Sequence, residues 1–266
     1  MSILTGIGDL VDDWLKTNPK GQRPYYRHQS AANELTRRAE PITGTRNFLD
    51  ASYTRIHNNW LDAIDAGYTN PSRENWRWKR HLTLAPANTS PELRLERSIV
   101  DACGENWSNQ MPTASGLVGP AVGKRAAVDL VYRKDPTTYS LIELKVGSDN
   151  PLFAAIEILC YGLLFIWSKD NQEKLGYDVK TQPILAATNV TLSVLAPEDY
   201  YHEYDLTILN STLNRGLAEF GDRVNVNFSF EFDQLGGDYE PDSTSERIRS
   251  AVSSRRPIWD TSSQTV

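Results

Sequence analysis

Three charged side chains stand out because they interrupt apolar segments of the sequence. Glu143 and Lys145 lie two residues apart in the apolar run 139–146, and Asp129 interrupts the run 126–132. Side chains of a strand alternate between its two faces, so Glu143 and Lys145 share a face, and an antiparallel hairpin can bring Asp129 opposite them. Burying two carboxylates and an ammonium costs several kcal/mol unless the groups pair or bind an ion. We therefore expect these side chains to converge on a functional site.

The chemistry of this cluster favours a divalent metal ion. Two neighbouring carboxylates, here Asp129 and Glu143, are oxygen ligands suited to Mg²⁺ or Mn²⁺, which keep several waters and take further ligands from substrate phosphate. The ammonium of Lys145 can stabilise charge on an attacking water or on a phosphorane-like transition state. The cluster therefore predicts metal-assisted hydrolysis of a phosphate ester.

The segments that carry these residues have the patterns of strands and helices. Residues 126–132 and 139–146 read as strands, and the polar turn 134–137 between them predicts a hairpin. A capping hydroxyl, a proline and an acid open the segment 89–104, which predicts a helix. Residues 151–169 are apolar on nearly every face, which predicts a buried helix. The order of elements around the cluster is therefore helix, strands, helix.

The rest of the chain is assigned from the same periodicities. Further strands are predicted at 75–84, 116–122, 183–189, 191–197 and 224–232, and further helices at 3–14, 50–66 and 206–220. We expect residues 1–85 to form a helical N-terminal extension and residues 86–235 to form the domain that contains the cluster. Residues 236–266 are rich in Ser, Asp and Arg, which predicts a flexible tail.

Asp129, followed after thirteen intervening residues by Glu143-Leu144-Lys145, resembles the signature of the PD-(D/E)XK nuclease superfamily. Glu157 and Tyr161 are similar to the Gln-x-x-x-Tyr element of its RecB-like branch. The resemblance covers about residues 90–196. It implies an α/β fold with a mixed sheet, namely a restriction endonuclease-like α-β-β-β-α-β core, to which this chain adds its N-terminal helical extension.

The resemblance also implies roles for individual residues. Asp129 and Glu143 would hold Mg²⁺ or Mn²⁺, with the Leu144 carbonyl as a further ligand, and Lys145 would assist the attacking water. Such families often carry an acid on the first core helix, and Glu96 is the candidate here, both as a catalytic residue and as a metal ligand. Two positions depart from the pattern: Val128 replaces the usual proline, and Glu157 replaces glutamine, where it would add a ligand or orient Lys145.

Structural explanations compete with these roles. An acid-x-lysine triplet arises by chance about once or twice in such a chain, and Asp178-Val179-Lys180 is a second match, in a polar stretch without an upstream strand acid. For Glu143 and Lys145 the alternative is an ion pair on the solvated face of an edge strand. For Glu96, Glu157 and Tyr161 the alternative is packing in the core or a role on the surface.

Composition limits the remaining possibilities. The chain has 266 residues, a net charge of −6 and two cysteines, too few for a disulfide framework or a cysteine-based zinc site. Its N-terminus lacks a basic region and its longest apolar run is broken by Glu157, so we predict a cytoplasmic protein without a membrane span. The histidines show no ligand spacing, and neither a Walker loop nor a dinucleotide-binding loop occurs.

Basic stretches at 16–38 and 73–80 are candidates for contact with a nucleic-acid backbone, and four aromatic residues within them are candidates for base stacking or for packing. These are Tyr25, Tyr26, Trp76 and Trp78. Lys124 and Arg125 are either phosphate contacts or a solvated loop.

Together these features predict a metal-dependent nuclease that hydrolyses DNA. RNA stays open as the substrate because the chemistry of the site is the same. The alternative is a non-catalytic module that has the nuclease fold and binds nucleic acid or a protein partner. The acidic total charge confines any DNA binding to one groove, and it leaves room for a homodimer or a partner bound through the N-terminal extension.

Overall fold

The computed structural model describes residues 2–16, 24–83, 89–119, 126–237 and 243–259. Within these ranges the chain is an α/β protein with eight α-helices and one mixed sheet of six strands. The helices are α1 (Ile7–Leu15), α2 (Gln29–Thr36), α3 (Thr45–Asp65), α4 (Pro91–Cys103), α5 (Pro151–Asp170), α6 (Gln172–Leu175), α7 (Thr207–Val224) and α8 (Ser245–Ser253). The strands are β1 (Trp107–Pro112), β2 (Ala127–Asp135), β3 (Thr138–Leu144), β4 (Asn189–Ala196), β5 (Asn227–Gln234) and β6 (Arg256–Pro257).

The six strands lie side by side in chain order. β1, β2 and β3 are antiparallel to one another, β4 and β5 run parallel to β3, and β6 is antiparallel to β5. Parallel neighbours need a long crossover, and α5 and α7 provide the two crossovers. β3 is therefore an interior strand, with β2 on one side and β4 on the other.

Helices cover both faces of the sheet. Tyr139 and Leu141 of β3 belong to a large apolar core with residues of α3, α5 and α7. Ile142 and Leu144 alternate with them and pack into a second, smaller core with α4 and α8. Both faces of β3 are thus buried, and any charged group on this strand lies in the interior.

α5 is the central helix of the larger core. Asn150 caps it, with its side-chain Oδ1 accepting a hydrogen bond of 2.9 Å from the amide of Phe153. Gly162 lets the helix approach β4, because a Cβ at this position would lie 2.7 Å from a methyl carbon of Leu192. By length and composition α5 is apolar enough to cross a membrane, but 89% of its most apolar window is buried inside the protein, as expected for a core helix.

Helices α1 to α3 pack on the same face of the sheet as α5, and their apolar residues join its core. Asp12 of α1 fixes the segment before α2, because its carboxylate accepts hydrogen bonds from the amides of Tyr25 (2.7 Å) and Tyr26 (2.9 Å). Both tyrosines are buried. The N-terminal helices thus extend the core around α5.

Three strand predictions are wrong. Residues 116–119 form turns, since Gly116 has φ +76° and sits against the Asn70 carbonyl, while 120–125 lie outside the described residues. The segment 75–83 runs beside β1, but Trp76, at φ 60°, prevents a regular ladder; residue 84 is not described. Pro183 opens a 3-10 helix instead of a strand.

The C-terminal part also differs from its prediction. α7 continues through Val224 and ends at Asn225, whose φ of 53° is left-handed, so β5 begins later than predicted. Residues 245–257, expected as part of a flexible tail, form α8 and β6. Ile248 and Val252 of α8 pack against α4 in the smaller core, and this apolar burial orders the segment.

Candidate functional site

Asp129 lies where the β2–β3 ladder ends and where the β1–β2 ladder skips one pair. The β2–β3 ladder ends at the pair Leu130 and Ile142. Beyond that pair the amide of Leu144 donates to Asp129 Oδ2 over 3.1 Å, so a side chain replaces the backbone partner. On the other side, Asp129 faces Gln110 of β1. The Leu144 amide and the Gln110 side chain therefore hold the aspartate in place.

Glu143 and Lys145 are buried together in the interior of the sheet. Their exposed fractions are 4% and 6%, and the Lys145 Nζ lies 2.9 Å from Glu143 Oε1. The backbone of Lys145 continues the pairing with β4, because its amide donates to the Leu195 carbonyl at 3.0 Å. The alternative of an ion pair on a solvated edge strand is wrong, because β3 has a neighbour on each side.

Glu96 points from α4 toward β1. Ser90 caps α4, and Glu96 lies on the face of the helix that packs against the sheet. Its Oε1 accepts hydrogen bonds from Asn109 Nδ2 (2.8 Å) and Arg97 Nη1 (2.6 Å), and its Oε2 accepts one from Gln110 Nε2 (2.5 Å). Glu96 is therefore a buried, fully engaged carboxylate.

Gln110 is a site residue that no pattern in the sequence indicates. Its Nε2 donates to Glu96 and lies 3.4 Å from Asp129 Oδ1, which links the two acids. It stands opposite Asp129 in register, yet the β1–β2 ladder skips this pair, and its φ is 47°. A glutamine rarely adopts left-handed backbone, and such strain concentrates at functional sites. Nothing in the segment WSNQMP indicated this.

Glu157 and Tyr161 lie one turn apart on α5. Glu157 Oε2 is 3.6 Å from Lys145 Nζ, and Glu157 Oε1 accepts a long hydrogen bond of 3.5 Å from the Tyr161 hydroxyl. Asp149, also missed from the sequence, has φ 60° and lies 3.6 Å from Lys145 Nζ. Lys145 thus stands among three carboxylates, with Glu143 the nearest.

These residues line one opening in the surface, which we call the acidic cleft. Its volume is about 400 Å³. The predicted residues in its wall are Glu96, Asp129, Glu143, Leu144, Lys145 and Glu157, and the others include Glu92, Gln110, Asp149 and Phe153. Tyr161 is the exception: it lies behind Glu157 and lines a neighbouring pocket. The structure therefore brings together every predicted site residue except Tyr161.

Burial and mutual repulsion raise the pKa values of the acids in the cleft. Desolvation, with a smaller contribution from Asp129, raises the pKa of Glu96 to about 7. Desolvation also raises the pKa of Asp129 to about 6, against the amide of Leu144 and the charge of Lys145. The pKa of Glu143 is raised by burial and then by the neighbouring charge of Asp129. A cation would relieve this repulsion.

Lys145 stays charged in this setting. Burial alone would lower its pKa, but the carboxylates of Glu143 and Glu157 outweigh burial and raise it above its ordinary value. Burial also raises the pKa of the Tyr161 hydroxyl, with Glu157 adding to it, so this group is a proton donor at neutral pH. Lys145 therefore offers a fixed positive charge.

Any metal ion in the cleft would have few protein ligands. Among the residues that the structure describes, no group of three or more His, Cys, Asp or Glu side chains is arranged to hold a metal. Gln110 lies between Glu96 and Asp129, and Lys145 lies against Glu143. Asp129 and Glu143 are therefore the two candidate metal ligands. This number suffices for Mg²⁺, which is usually bound by one or two carboxylates, with waters completing its octahedron.

Two further candidates from the sequence, the second acid-x-lysine match and Trp76, have the surroundings expected of structural residues. Asp178 and Lys180 of the second acid-x-lysine match are exposed in a turn, where the Lys180 amide donates to Asp178 Oδ1 at 2.9 Å. Trp76 is buried against Phe165, so it packs in the core. Lys124 and Arg125 lie outside the described residues, as does part of the basic stretch 16–38.

Comparisons of the chain with models of known protein families, with curated proteins and with solved structures give no match. The chemistry of the acidic cleft is therefore the basis for a functional assignment.

Proposed function

We propose that this protein is a metal-dependent nuclease that hydrolyses phosphodiester bonds of DNA. One observation carries the proposal: seven charged residues line one cleft, and two of them, Asp129 and Glu143, are carboxylates whose burial raises their pKa values, with the charge of Asp129 raising that of Glu143 further. Buried acids that repel one another destabilise a fold, and they are typical of sites that bind a cation. The sheet interior would otherwise favour apolar side chains at these positions.

Each side chain has a role in this proposal. Asp129, Glu143 and the carbonyl of Leu144 would hold Mg²⁺ or Mn²⁺, which would supply Lewis acidity for hydrolysis. Lys145, held by Glu143 and Glu157, orients the attacking water and stabilises negative charge on the phosphate. Glu96 and Glu157 support the site from either side, and Tyr161 positions Glu157 through its hydroxyl.

The order of elements supports a restriction endonuclease-like core. α4, the three strands β1 to β3, α5 and β4 follow one another in the α-β-β-β-α-β order, with the short helix α6 and a 3-10 turn between α5 and β4. We propose that this core is that of the PD-(D/E)XK nucleases, with Glu157-x-x-x-Tyr161 as a variant of the RecB-like element. In this proposal, residues 1–85 are an addition to the core.

Cleavage assays test the proposal. Plasmid DNA and labelled oligonucleotides are incubated with the protein and Mg²⁺ or Mn²⁺, and with a chelator as the blank. We expect metal-dependent cleavage that Asp129→Ala and Lys145→Ala reduce by at least about a hundredfold, the usual scale for a removed transition-state charge. Lys180→Ala, in the second acid-x-lysine match, is the matched control and should cut like the parent.

The outcomes separate the alternatives. Equal rates for the parent, Asp129→Ala and Lys145→Ala would exclude the assigned site. Absence of cleavage and of divalent-ion binding by a folded protein would favour a non-catalytic module with the nuclease fold. Faster cleavage of RNA than of single-stranded or duplex DNA would change the substrate but leave the site chemistry intact.

A further inference from the structure

A second cavity lies next to the acidic cleft, and we call it the side pocket. Its volume is about 330 Å³, within the usual size range of small-molecule sites. It is lined by Leu4, Ile7, Tyr26, Arg27, Cys160 and Tyr161, among others. Phe153 and Glu157 line both this pocket and the acidic cleft, so the two cavities share a wall.

Aromatic and apolar side chains line the side pocket, and the ring of Tyr26 is itself largely buried. The rings of Tyr26 and Phe153 pack with centroids 6.1 Å apart and planes only 23° from parallel. Leu4 and Ile7 add apolar surface from the N-terminal segment. Bases bind to such surfaces through their faces, because every base has an apolar π-face whatever its sequence identity.

Arg27 provides a cation at the rim. Its guanidinium carbon lies 5.3 Å from the centroid of the Phe153 ring and 5.8 Å from that of Tyr26. The residue is exposed, and among the described residues only its Nε has a hydrogen-bond acceptor, the Tyr26 hydroxyl at 3.5 Å. Its terminal nitrogens can therefore donate to a phosphate in the two-pronged geometry that arginine favours.

Polar groups line the pocket beside its apolar side chains, and they include the carboxylate of Asp9 on α1. Glu157 and Tyr161 line it from α5, and the carboxylate of Glu157 also lies 3.6 Å from Lys145 in the cleft. A carboxylate accepts hydrogen bonds from amino or imino groups, and a tyrosine hydroxyl can donate or accept. An apolar slot with a few polar groups at one end has the form of a nucleobase site.

We propose that the side pocket binds the base of a substrate nucleotide whose phosphate contacts Arg27, beside the scissile phosphate in the acidic cleft. The inference rests on the proposed nuclease function and adds the substrate form. A base can enter the pocket only when it is unpaired. The protein would therefore act on single-stranded, frayed or flipped nucleotides in preference to closed duplex.

Binding of a mononucleotide tests the pocket without requiring catalysis. Thymidine 5′-monophosphate, thymidine and inorganic phosphate are titrated into the full chain with a chelator present, and binding is followed by calorimetry and by NMR. We expect the nucleotide to bind at least about tenfold more tightly than either fragment, because it engages both the aromatic surface and Arg27.

Three variants make the test specific. Leu4→Trp fills the pocket from a half-buried position and should weaken nucleotide binding by about tenfold or more, and Arg27→Ala should remove most of the advantage over thymidine. Arg133→Ala is the matched control, since Arg133 also stacks on an aromatic ring, that of Trp78, away from the pocket. If Leu4→Trp fails to fold, Cys160→Met fills the same pocket from α5.

The results distinguish this proposal from the nuclease assignment. Unchanged nucleotide binding in the filled variants, or phosphate binding as tight as nucleotide binding, would overturn the pocket even if the parent cleaves DNA. Nucleotide binding that the filled variants lose would support the pocket even if the parent cuts nothing, and the nuclease function would then be the part that fails.

Discussion

Burying the carboxylate of Asp129 costs the folded protein electrostatic free energy. It lies in an apolar sheet, 3.1 Å from one backbone amide, and its pKa of about 6 stands above the ordinary value of 3.8. The folded protein therefore binds this proton more tightly than the unfolded chain. The free energy of unfolding must fall as the pH rises from about 4 to about 6 through this group, since the carboxylate becomes charged in a buried position.

Replacing this carboxylate should stabilise the metal-free protein. Because one unit of pKa corresponds to about 1.4 kcal/mol, we expect Asp129→Asn to raise the free energy of unfolding by about 1–3 kcal/mol at pH 7. The gain should be largely lost by about pH 3, below the ordinary pKa of 3.8, because Asp129 is then mostly protonated in both states. Urea unfolding with a chelator at the two pH values measures it, and a loss of stability at pH 7 would contradict the assigned cause.

Lys145 should stabilise the fold only through its ion pairs with the neighbouring carboxylates. Lys145→Met leaves Glu143 buried without its partner, and breaking such a pair costs about 3–5 kcal/mol. The double variant Glu143→Gln/Lys145→Met should recover most of this loss, because the charge of Glu143 that Lys145→Met leaves unpaired is then removed as well. Urea unfolding of the two single variants and the double variant gives the coupling energy.

Lys180→Met is the control for this cycle, because Lys180 is exposed in the second acid-x-lysine match. Its effect should stay within about 0.5 kcal/mol. Strict additivity of the Glu143 and Lys145 changes would mean that the 2.9 Å ion pair does not persist in solution.

At the scale of elements, helices and strands were predicted correctly where a single pattern, either apolar periodicity or a helix cap, dominated the segment. The hairpin with Asp129 and Glu143, the capped helix with Glu96 and the buried helix with Glu157 were all located from periodicity and caps. The convergence of Asp129 with Glu143 and Lys145 followed from strand alternation and the hairpin, whereas Glu96 and Glu157 were added from the resemblance to the nuclease superfamily. The tertiary contacts that complete the site, such as those of Gln110, had no such signal.

The missed elements share a physical cause. β1 has the sequence WSNQMP, and polar residues hide it because Ser108 and Asn109 are satisfied by the neighbouring segment 79–81 rather than by water. Trp76 and Gln110 have left-handed backbone, which composition does not indicate. α8 has few apolar residues, and its stability comes from packing against α4 and the sheet.

The packing of α8 makes a prediction of its own. Ile248 is buried in the smaller core, so Ile248→Ala should lower the free energy of unfolding by about 2–5 kcal/mol, the usual range for a buried isoleucine. Ser250→Ala, on the exposed side of the same helix, is the control and should have almost no effect. Urea unfolding and limited proteolysis of the region 243–259 measure both, and equal behaviour of the two variants would restore the expectation of a flexible tail.

At the scale of the whole molecule, charge opposes the proposed substrate. The chain has a net charge of −6, and the acidic cleft adds a local concentration of carboxylates around one lysine. A DNA phosphate approaching this cleft meets repulsion unless a cation is bound there. The metal would thus serve binding as well as chemistry, and the two contributions can be measured separately.

DNA affinity should therefore depend on a divalent ion even without cleavage. With Ca²⁺ in place of Mg²⁺ and ionic strength held constant, we expect single-stranded DNA to bind at least about tenfold more tightly than in chelator. The double variant Asp129→Asn/Glu143→Gln should bind more tightly than the parent in chelator and lose the response to Ca²⁺, because the repelling charges and the ligands are the same groups. Fluorescence anisotropy measures both effects.

The control for this variant is Asp62→Asn/Asp65→Asn, which removes the same number of charges from the exposed surface of α3, away from the cleft. It should keep the Ca²⁺ response of the parent, because only long-range charge has changed, and such charge is screened within about 10 Å at moderate salt. If both double variants shift DNA affinity equally, total charge rather than the acidic cleft governs binding. The metal would then have no part in holding the substrate.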